Sequence, residues 1–226
     1  MTKNKLSKRL MAAAEECRDG SFIADVGTDH AYLPVYLARE GKIRGAVASD
    51  INEGPISRAR KNIADAGLSD KIATLRCNGL SGIEEYDPDD IFILGMGGDL
   101  ISWIIGQADF VRQKGKRLIL QPMTHAEILR YNLHRNGFHI VNEKLVLEDK
   151  IYQIIVAEFF GWSPYYTQME LIFGKLNIEN GHPLLPLLIE RTERAVINKI
   201  NGKKIAGENT ETEEKLLAEI GVLKSR

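Results

Sequence analysis

SFIADVGTDHAYLP, residues 21–34, is the stretch of sequence that decides the fold. Its first half, Phe22 to Val26, is a short apolar run of the kind that forms a buried strand. Gly27 then opens a polar turn, and an apolar helical segment follows from Leu33. A strand, a glycine turn and a helix start in this order hold a nucleotide-like ligand at the carboxyl edge of an α/β sheet.

Strand and helix patterns alternate through the first two-thirds of the chain. Further strands are predicted at 46–49, 72–77, 91–94 and 117–120, and helices at 3–17, 31–41, 54–66, 100–105 and 126–135. The segments 138–147 and 151–159 alternate and are joined by three polar residues, which predicts an antiparallel hairpin. The predicted fold class is therefore α/β, a parallel sheet with helices on both faces. The terminal hairpin favours a Rossmann-like, seven-stranded methyltransferase sheet over a dehydrogenase-type sheet.

The pattern becomes purely helical after Gly161-Trp162-Ser163-Pro164. Helices are predicted at 166–176, 184–200 and 212–223, with breaks at 201–204 and at Gly207. The expected packing positions are Leu187, Leu188, Ala195, Ile197, Leu216, Leu217, Ile220 and Leu223. Two domains follow from this pattern: a ligand-binding domain over 1–160, and a small all-helical, coiled-coil-like domain over 161–226. The second is too short to bury an independent core.

The composition of the 226-residue chain is average for a globular protein, with 44% hydrophobic and 27% charged residues and a net charge of −1. Because the net charge is close to zero, we expect any nucleic acid to bind a local basic patch. Cys17 and Cys77 lack metal-ligand spacing, which favours free thiols and no metal site. The lysine-containing N-terminus has no signal-peptide core, and no apolar run is long enough to span a membrane. We expect a cytoplasmic protein without a membrane partner, and favour a monomer.

Ligand-type residues stand at the ends of consecutive predicted strands. Asp25 and Gly27 close the first, and a glycine there lets a ligand approach the backbone without a Cβ clash. Asp50 closes the second, where a carboxylate can accept two hydrogen bonds from a ribose diol. Asn78 closes the third, and its amide offers a donor and an acceptor to an adenine edge. Gly95-Met96-Gly97 closes the fourth, next to the expected reacting group.

Each of these features also has an ordinary structural explanation. Asp50 can serve only as a helix cap, Asn78-Gly79 can be a simple turn, and Gly97-Gly98 can merely start a helix. The first predicted helix can simply pack beside the first strand, or it can bring Arg9 near a ligand carboxylate. Four such features at consecutive strand ends nevertheless favour a binding site over unrelated turns.

The turn after the first strand argues against a dinucleotide. The NAD fingerprint is G-x-G-x-x-G, in which the second glycine admits the pyrophosphate. The turn here reads G-T-D-H-A-Y, with one glycine and the acidic Asp29. A carboxylate at this point repels a pyrophosphate and attracts the ammonium of a methionine-like group. The electrostatics therefore favour S-adenosylmethionine.

Six segments carry a family resemblance: ADVGTDHAYLP at 24–34, DINEGPISRARKNI at 50–63, NGL at 78–80, ILGMGGDLI at 93–101, LILQPM at 118–123 and YQIIVAEF at 152–159. Together they resemble the bacterial tRNA (adenine-22-N1)-methyltransferases of the TrmK type. The resemblance covers nearly the whole sheet domain in order, and the helical tail matches by pattern only. Two positions depart from the usual family pattern, Asp50 in place of Glu and Asn78 in place of Asp.

The resemblance implies S-adenosylmethionine as methyl donor, tRNA as acceptor and methylation at N1 of adenine 22. With the strand-end pattern, it implies donor binding by Arg9, Asp25, Gly27, Asp29, His30, Asp50, Ile51, Asn78, Gly79, Gly95, Met96 and Gly97. Neutral adenine already has a free lone pair on N1, so the predicted task is in-line alignment and exclusion of water. Asp29, His30 and Tyr32 are the catalytic candidates beside the base, unless Asp29 only binds the donor's amino group.

The target base must leave its stack to reach the site, where Tyr32 or Met96 can stack on it. The helical tail is the expected tRNA-binding element, with Tyr165 and Tyr166 as further candidates. Candidate phosphate contacts are Arg58, Arg60, Lys61, Arg112, Lys114, Lys116, Arg191, Arg194, Lys199, Lys203 and Lys204. Two alternatives stay open: a methyltransferase for another RNA, a protein or a small molecule, and a non-catalytic nucleotide- or RNA-binding protein.

Overall fold

The computed structural model describes residues 6–225, which divide into two compact units between Tyr165 and Tyr166. The start of the first predicted helix, at residues 3–5, lies outside the described residues. The first unit contains α1 (Lys8–Glu15), β1 (Ser21–Val26), α2 (Tyr32–Arg39), β2 (Ile43–Asp50), α3 (Glu53–Asp65), β3 (Ile72–Arg76), β4 (Asp90–Gly97), α4 (Gly98–Gly106), β5 (Arg117–Thr124), α5 (Ala126–Arg135), β6 (Phe138–Leu147) and β7 (Ile151–Phe159). Short 3-10 turns cover Ile83–Tyr86 and Asp109–Arg112. The second unit contains α6 (Gln168–Phe173), α7 (Lys175–Glu179), α8 (Leu185–Ile205) and α9 (Glu211–Lys224).

A seven-stranded sheet with the order β3-β2-β1-β4-β5-β7-β6 organises the first unit. The pairs among β1 to β5 are parallel, and β7 runs antiparallel to both β5 and β6. The predicted parallel sheet and its terminal hairpin are confirmed. Strand order changes direction at β1, where β2 lies on one side and β4 on the other, and such a switch point opens a crevice at the carboxyl edge.

The central strands are buried along their length because helices cover both faces of the sheet. Ile23 of β1, Phe92 of β4 and Ile119 of β5 are fully inaccessible to solvent. Polar side chains on these strands can therefore reach a ligand only at the strand ends.

Two strands are longer than predicted. β4 continues through Gly95-Met96-Gly97 and β5 continues to Thr124, whereas the sequence pattern ended them at residues 94 and 120. The two strands keep pairing across an irregular register, with Met96 opposite Pro122 and Gly97 opposite Thr124. The glycine segment is consequently part of the sheet edge and not a free loop.

The helix boundaries of the second unit also differ from the prediction. The single helix expected over 166–176 is interrupted at Gly174, whose φ of +90° separates α6 from α7. Of the two expected breaks, the one at 201–204 is absent from the described structure, because α8 continues through it to Ile205, whereas Gly207 lies in the connection between α8 and α9 with a φ of +71°. A single glycine, Gly202, is tolerated inside a long helix at a modest cost in stability.

α8 and α9 pack antiparallel, and ion pairs join their ends. Lys203 contacts Glu213, and Lys224 contacts Glu193 at 2.7 Å. The predicted packing register on α8 was wrong at two positions, since Ala195 and Ile197 are exposed. The residues that are buried on this helix are Leu185, Ile189, Val196 and Ile200.

Residues 6–225 contain neither a membrane-spanning helix nor a candidate metal cluster. Across 6–225, none of the helices combines the length and apolar character that a bilayer crossing requires. The described part of the chain also contains no group of three or more His, Cys, Asp or Glu side chains arranged for a metal ion.

Candidate active site

The turn after β1 is fixed by backbone hydrogen bonds to the neighbouring strand. The N–H groups of Gly27 and Thr28 each donate to the carbonyl of Ser49 over 2.8 Å. The Thr28 hydroxyl oxygen accepts from the N–H of Ala31 at 3.0 Å, and Ala31 adopts a left-handed φ of +53° before α2 begins. The turn therefore presents a defined backbone at the carboxyl edge of the sheet.

Asp25 lies within β1, between Ala48 of β2 and Phe92 of β4, and is only 8% exposed. Burial raises the pKa of its carboxyl to about 6, and a hydrogen bond with Thr28 acts in the opposite direction. Ionisation of a desolvated carboxyl becomes easier when a cation binds beside it. Asp25 is thus suited to support a positively charged ligand at the crevice.

Met96 of β4 lies directly over the glycine of the β1 turn. A Cβ atom on Gly27 would stand 2.1 Å from the Met96 methyl carbon. Gly27 also has a φ of +75°, which side chains rarely adopt. The backbone conformation therefore requires glycine here, and the close approach of Met96 brings two predicted donor-site residues together.

Arg9 reaches the same point from α1. Its Nη1 atom donates to Oε1 of Gln121 at 2.6 Å, and its guanidinium carbon lies 5.4 Å from the centre of the Tyr152 ring. The nearest atom to a Cβ built on Gly95 is Arg9 Nη1, at 3.5 Å. Arg9 therefore stands beside the end of β4.

Asp29 forms an exposed cluster with two basic side chains. Arg58 of α3 donates to the Asp29 carboxylate through Nε at 3.1 Å and also through Nη2, and His30 Nε2 lies 3.3 Å from Asp29 Oδ2. The His30 ring stacks on Tyr32 with centroids 4.9 Å apart and planes 14° apart. The three catalytic candidates thus lie together, and Arg58, expected to contact tRNA phosphate, instead faces Asp29.

Asp50 stands at the end of β2 and accepts a hydrogen bond from the N–H of Asn52 at 2.7 Å through Oδ1. This is a local turn and not the helix cap that the sequence left open, because the N-cap of α3 is Asn52. The next residue, Ile51, is 53% exposed although it is apolar. A carboxylate followed by an exposed apolar side chain suits a ribose and the face of its base.

Asn78 and Gly79 follow β3 and line a cleft of about 660 Å³. Trp103 and Ile104 of α4 line the same cleft. A Cβ on Gly79 would stand 3.3 Å from two Ile104 carbons, so the glycine allows α4 to approach. The predicted adenine-binding residues therefore adjoin an aromatic and aliphatic surface.

Two functional candidates at the edge were missed from the sequence, Asp99 in the first turn of α4 and His125 immediately before α5. The imidazole Nδ1 of His125 and Oδ2 of Asp99 form an ion pair. Their hydrogen bond lowers the pKa of Asp99 and raises the pKa of His125. Asp99 follows the glycines of the GMGG segment, and no local pattern connects it with a histidine 26 residues further along the chain.

Comparison with known proteins identifies the family. A family model described as "Methyltransferase domain" matches residues 6–155. The tRNA (adenine(22)-N(1))-methyltransferase of Bacillus subtilis (strain 168) is 39% identical over 178 residues, which cover 78% of this chain and 74% of that protein. The chain belongs to the tRNA (adenine(22)-N(1))-methyltransferase family. The resemblance carried by the six sequence segments is thereby confirmed.

Three solved structures match this chain over nearly its whole length. The crystal structure of the B. subtilis m1A22 tRNA methyltransferase TrmK is 30% identical, with a TM-score of 0.85 and 98% coverage of both chains. TrmK of M. capricolum, solved with S-adenosyl-homocysteine, is 27% identical, with a TM-score of 0.81 and coverage of 97% of this chain and 96% of that one. A Streptococcus agalactiae protein of the NADB-Rossmann superfamily is 32% identical, with a TM-score of 0.88 and 98% coverage of both. The Rossmann-like sheet followed by C-terminal helices is common to all three.

Proposed function

We propose that this protein transfers a methyl group from S-adenosylmethionine to N1 of adenine 22 in tRNA. The observation that carries the proposal is the 39% identity to the B. subtilis tRNA (adenine(22)-N(1))-methyltransferase. The residue types at the strand ends support it, because Arg9, Asp50 and Ile51 match in chemical type the carboxylate, the ribose diol and the adenine of this donor.

The residues at the crevice fit S-adenosylmethionine. Gly27 and Gly95 both have a positive φ, and neither carries a side chain that would block a ligand. Arg9 lies beside Gly95. Arg9 would bind the donor's carboxylate. Asp50 would bind its ribose diol, and Ile51, Asn78 and Gly79 would contact its adenine. When bound, S-adenosylmethionine supplies a methyl group activated by its sulfonium.

A general base is not required of this chain, since N1 of neutral adenine already carries a lone pair. The residues around Gly95-Met96-Gly97 have instead to align the base with the methyl carbon and exclude water. The stacked pair of His30 and Tyr32 would support the extruded base, because Tyr32 is 40% exposed and its ring is available for stacking.

For Asp29 we propose contact with the donor's amino group. Its position two residues after Gly27 and its exposed carboxylate support this role. Replacing Asp29 with alanine should weaken S-adenosylmethionine binding in calorimetry while leaving tRNA affinity unchanged. A variant with normal donor affinity but slow methyl transfer would assign Asp29 to the target base instead.

We propose that the C-terminal helical domain, assigned to residues 161–226, contacts tRNA. Most of the basic residues suggested for this role carry acidic partners: Arg194 with Glu190, Lys199 and Lys203 with Glu213, and Lys204 with Glu214. Arg191 and Lys215 are exposed and form no ion pair among residues 6–225. These two cations are therefore the best candidates for phosphate contacts on the helices.

The contact is tested by replacing Arg191 and Lys215 together with glutamate and measuring tRNA affinity at several salt concentrations. We expect weaker binding and a shallower salt dependence, with donor affinity unchanged. Glu208→Lys offers a charge-changing control on the α8–α9 connection. An Arg191/Lys215 variant that binds tRNA as tightly as the wild type would remove the helices from the proposed interface.

The activity is tested with labelled S-adenosylmethionine and unmodified tRNA, followed by mapping of the modified base. We expect label at N1 of adenine 22 and none in a tRNA with guanine at that position. Label at another base, or only in a small molecule or protein, would refute the assignment. We further propose a cytoplasmic monomer, which light scattering of the purified protein checks for oligomeric state.

A further inference from the structure

The Asp99–His125 pair stands at the reaction edge of the sheet without a role in the donor site. Gly97 of β4 pairs with Thr124 of β5. Asp99 follows Gly97 by two residues and His125 follows Thr124 by one, so the pair lies just beyond the strand ends. The two side chains are 63% and 60% exposed, and a large substrate can reach them.

The backbone around this pair is specialised. Among residues 6–225, only three non-glycine residues have a positive φ: Ala31, Asp87 and His125. Two of the three, Ala31 and His125, directly precede helices at the carboxyl edge, α2 and α5. Unfavourable backbone conformations of this kind concentrate at functional sites.

The backbone at the start of α4 closely approaches the backbone that precedes α5. A Cβ on Gly98 would stand 2.1 Å from the carbonyl oxygen of His125 and 3.0 Å from that of Thr124. Only glycine lets the two helix starts come so near. An exposed ion pair contributes at most about 1 kcal/mol to stability, so it does not by itself account for such an arrangement.

The chemistry of the target base indicates what this carboxylate is for. In methyl transfer to N1, the N1 lone pair forms the new N–C bond while the C–S bond breaks and its electron pair stays on sulfur. Positive charge consequently moves from sulfur onto the adenine ring, where N1, C6 and the 6-amino group share it. A carboxylate that accepts a hydrogen bond from the 6-amino group is bound more strongly in the transition state than before it.

We propose that Asp99 accepts a hydrogen bond from the 6-amino group of the target adenine, and that His125 is a positioning residue that orients the Asp99 carboxylate. A carboxylate has two oxygens, so Asp99 can accept from His125 through Oδ2 and from the base through Oδ1. The pair thereby makes the enzyme specific for a base with a 6-amino group. This inference rests on the proposed methylation of adenine N1.

The test compares tRNA carrying adenine at position 22 with tRNA carrying purine, which keeps N1 but lacks the 6-amino group. Single-turnover rates give the preference for adenine, and donor and tRNA affinities are measured separately. A hydrogen bond to a charged group predicts that Asp99→Ala reduces the adenine-over-purine preference about tenfold or more. Asp99→Asn, which keeps an acceptor without the charge, should retain part of the preference.

His125→Ala should lower the rate on adenine by several fold and reduce the preference partly, with KM for tRNA little changed. Asp65→Ala is the matched control, because Asp65 forms an exposed ion pair with Lys61 at the end of α3. We expect this control to keep both the wild-type rate and the wild-type preference. Donor affinity should stay within about twofold of the wild-type value in every variant.

An Asp99→Ala enzyme that methylates adenine 22 with undiminished preference over purine would overturn this inference and leave the proposed function intact. Loss of tRNA affinity to the same extent for both substrates would also overturn it, since it would indicate a backbone contact. A wild-type protein that methylates neither tRNA would overturn the proposed function together with this inference.

Discussion

Arg9 of α1 donates from Nη1 to Oε1 of the fully buried Gln121 on β5 over 2.6 Å. Gln121 is itself fixed, because its Nε2 donates to the carbonyl of Pro122 at 2.7 Å. The Tyr152 ring lies against the same guanidinium, and the Tyr152 hydroxyl donates to Asp149 at 2.8 Å. A helix outside the sheet thus contributes its arginine to the crevice through contacts with β5 and β7.

Gln121→Leu should weaken S-adenosylmethionine binding. The leucine nearly preserves the side-chain volume, but it removes the acceptor that orients Arg9. Loss of a hydrogen bond to a charged group predicts about a tenfold rise in Kd, measured by calorimetry. Gln113→Leu, on the exposed segment before β5, is the control and should bind normally. Donor affinity that is equal in both variants would show that Gln121 does not orient Arg9.

Asp25 should make the stability of this protein depend on pH in an unusual direction. Its folded pKa of about 6 exceeds the ordinary aspartate value of 3.8, so the folded protein binds this proton more tightly than the unfolded chain. The stabilisation is therefore present below pH 4 and is lost as the pH rises through 6. The whole span is on the order of 3 kcal/mol.

Asp25→Asn removes this dependence. Relative to the wild type, we expect the variant's free energy of unfolding in urea to increase by about 2–3 kcal/mol between pH 4 and pH 7.5. Asp19→Asn, at an exposed position before β1, controls for the loss of one surface carboxylate. A difference between Asp25→Asn and wild type that stays constant with pH would contradict a raised pKa for Asp25.

The sheet was predictable because local patterns specify it. Apolar runs of strand length, glycine turns and helical periodicity each carried information about their own element, and the hairpin at 138–159 was visible in its alternation. The ends of β4 and β5 were mispredicted because pairing between the strands extends them through Gly95 and Pro122, where local propensity signals a turn. The register of α8 was missed because tertiary packing, and not the weak periodicity of that helix, selects Val196 and Ile200 as buried.

The candidate site was predictable only where a residue type has one plausible role at a strand end. Gly27 met that condition, because its positive φ excludes most side chains, whereas Asp50 had two explanations. The partners of these residues come from distant segments, and their pairing depends on the packed structure: Arg58 with Asp29, Gln121 with Arg9, and His125 with Asp99. One of the basic residues suggested for tRNA has such a partner too. Lys116, proposed for phosphate, has a buried side chain that is paired with Asp87.

Arg130 and Glu143 form a buried ion pair that should dominate the stability of the α5–β6 region. Both side chains are fully inaccessible, Nε of Arg130 lies 2.7 Å from Glu143 Oε1, and Nη2 donates to Gln153 Oε1 at 2.7 Å. Arg130→Ala removes the cation that neutralises the buried Glu143 carboxylate and should cost about 3–5 kcal/mol in urea unfolding.

The double replacement Arg130→Met with Glu143→Leu should recover most of that loss, since no charge is then buried alone. Lys61→Ala is the control, because it removes an exposed ion pair with Asp65 on one helix. It should change the free energy of unfolding by less than about 0.5 kcal/mol. A double variant no more stable than Arg130→Ala would mean that packing volume, and not the unpaired charge, sets the cost.

Two glycines of one helix should respond in opposite directions to alanine. Gly98 begins α4 against the backbone carbonyl of His125, which is 2.1 Å from the position that a Cβ would take, while Gly106 ends α4 with no atom within 4 Å of that position. Gly98→Ala forces the β5–α5 turn away from β4 and should cost about 1–3 kcal/mol or more. Gly106→Ala should be neutral or stabilising by up to about 1 kcal/mol, because alanine favours a helix over glycine. Thermal and urea unfolding of both variants checks this pair of effects.

Methyl transfer should fall in Gly98→Ala and remain normal in Gly106→Ala, because only the first substitution displaces His125. Full activity and stability in Gly98→Ala would show that the contact between the two helix starts is dispensable.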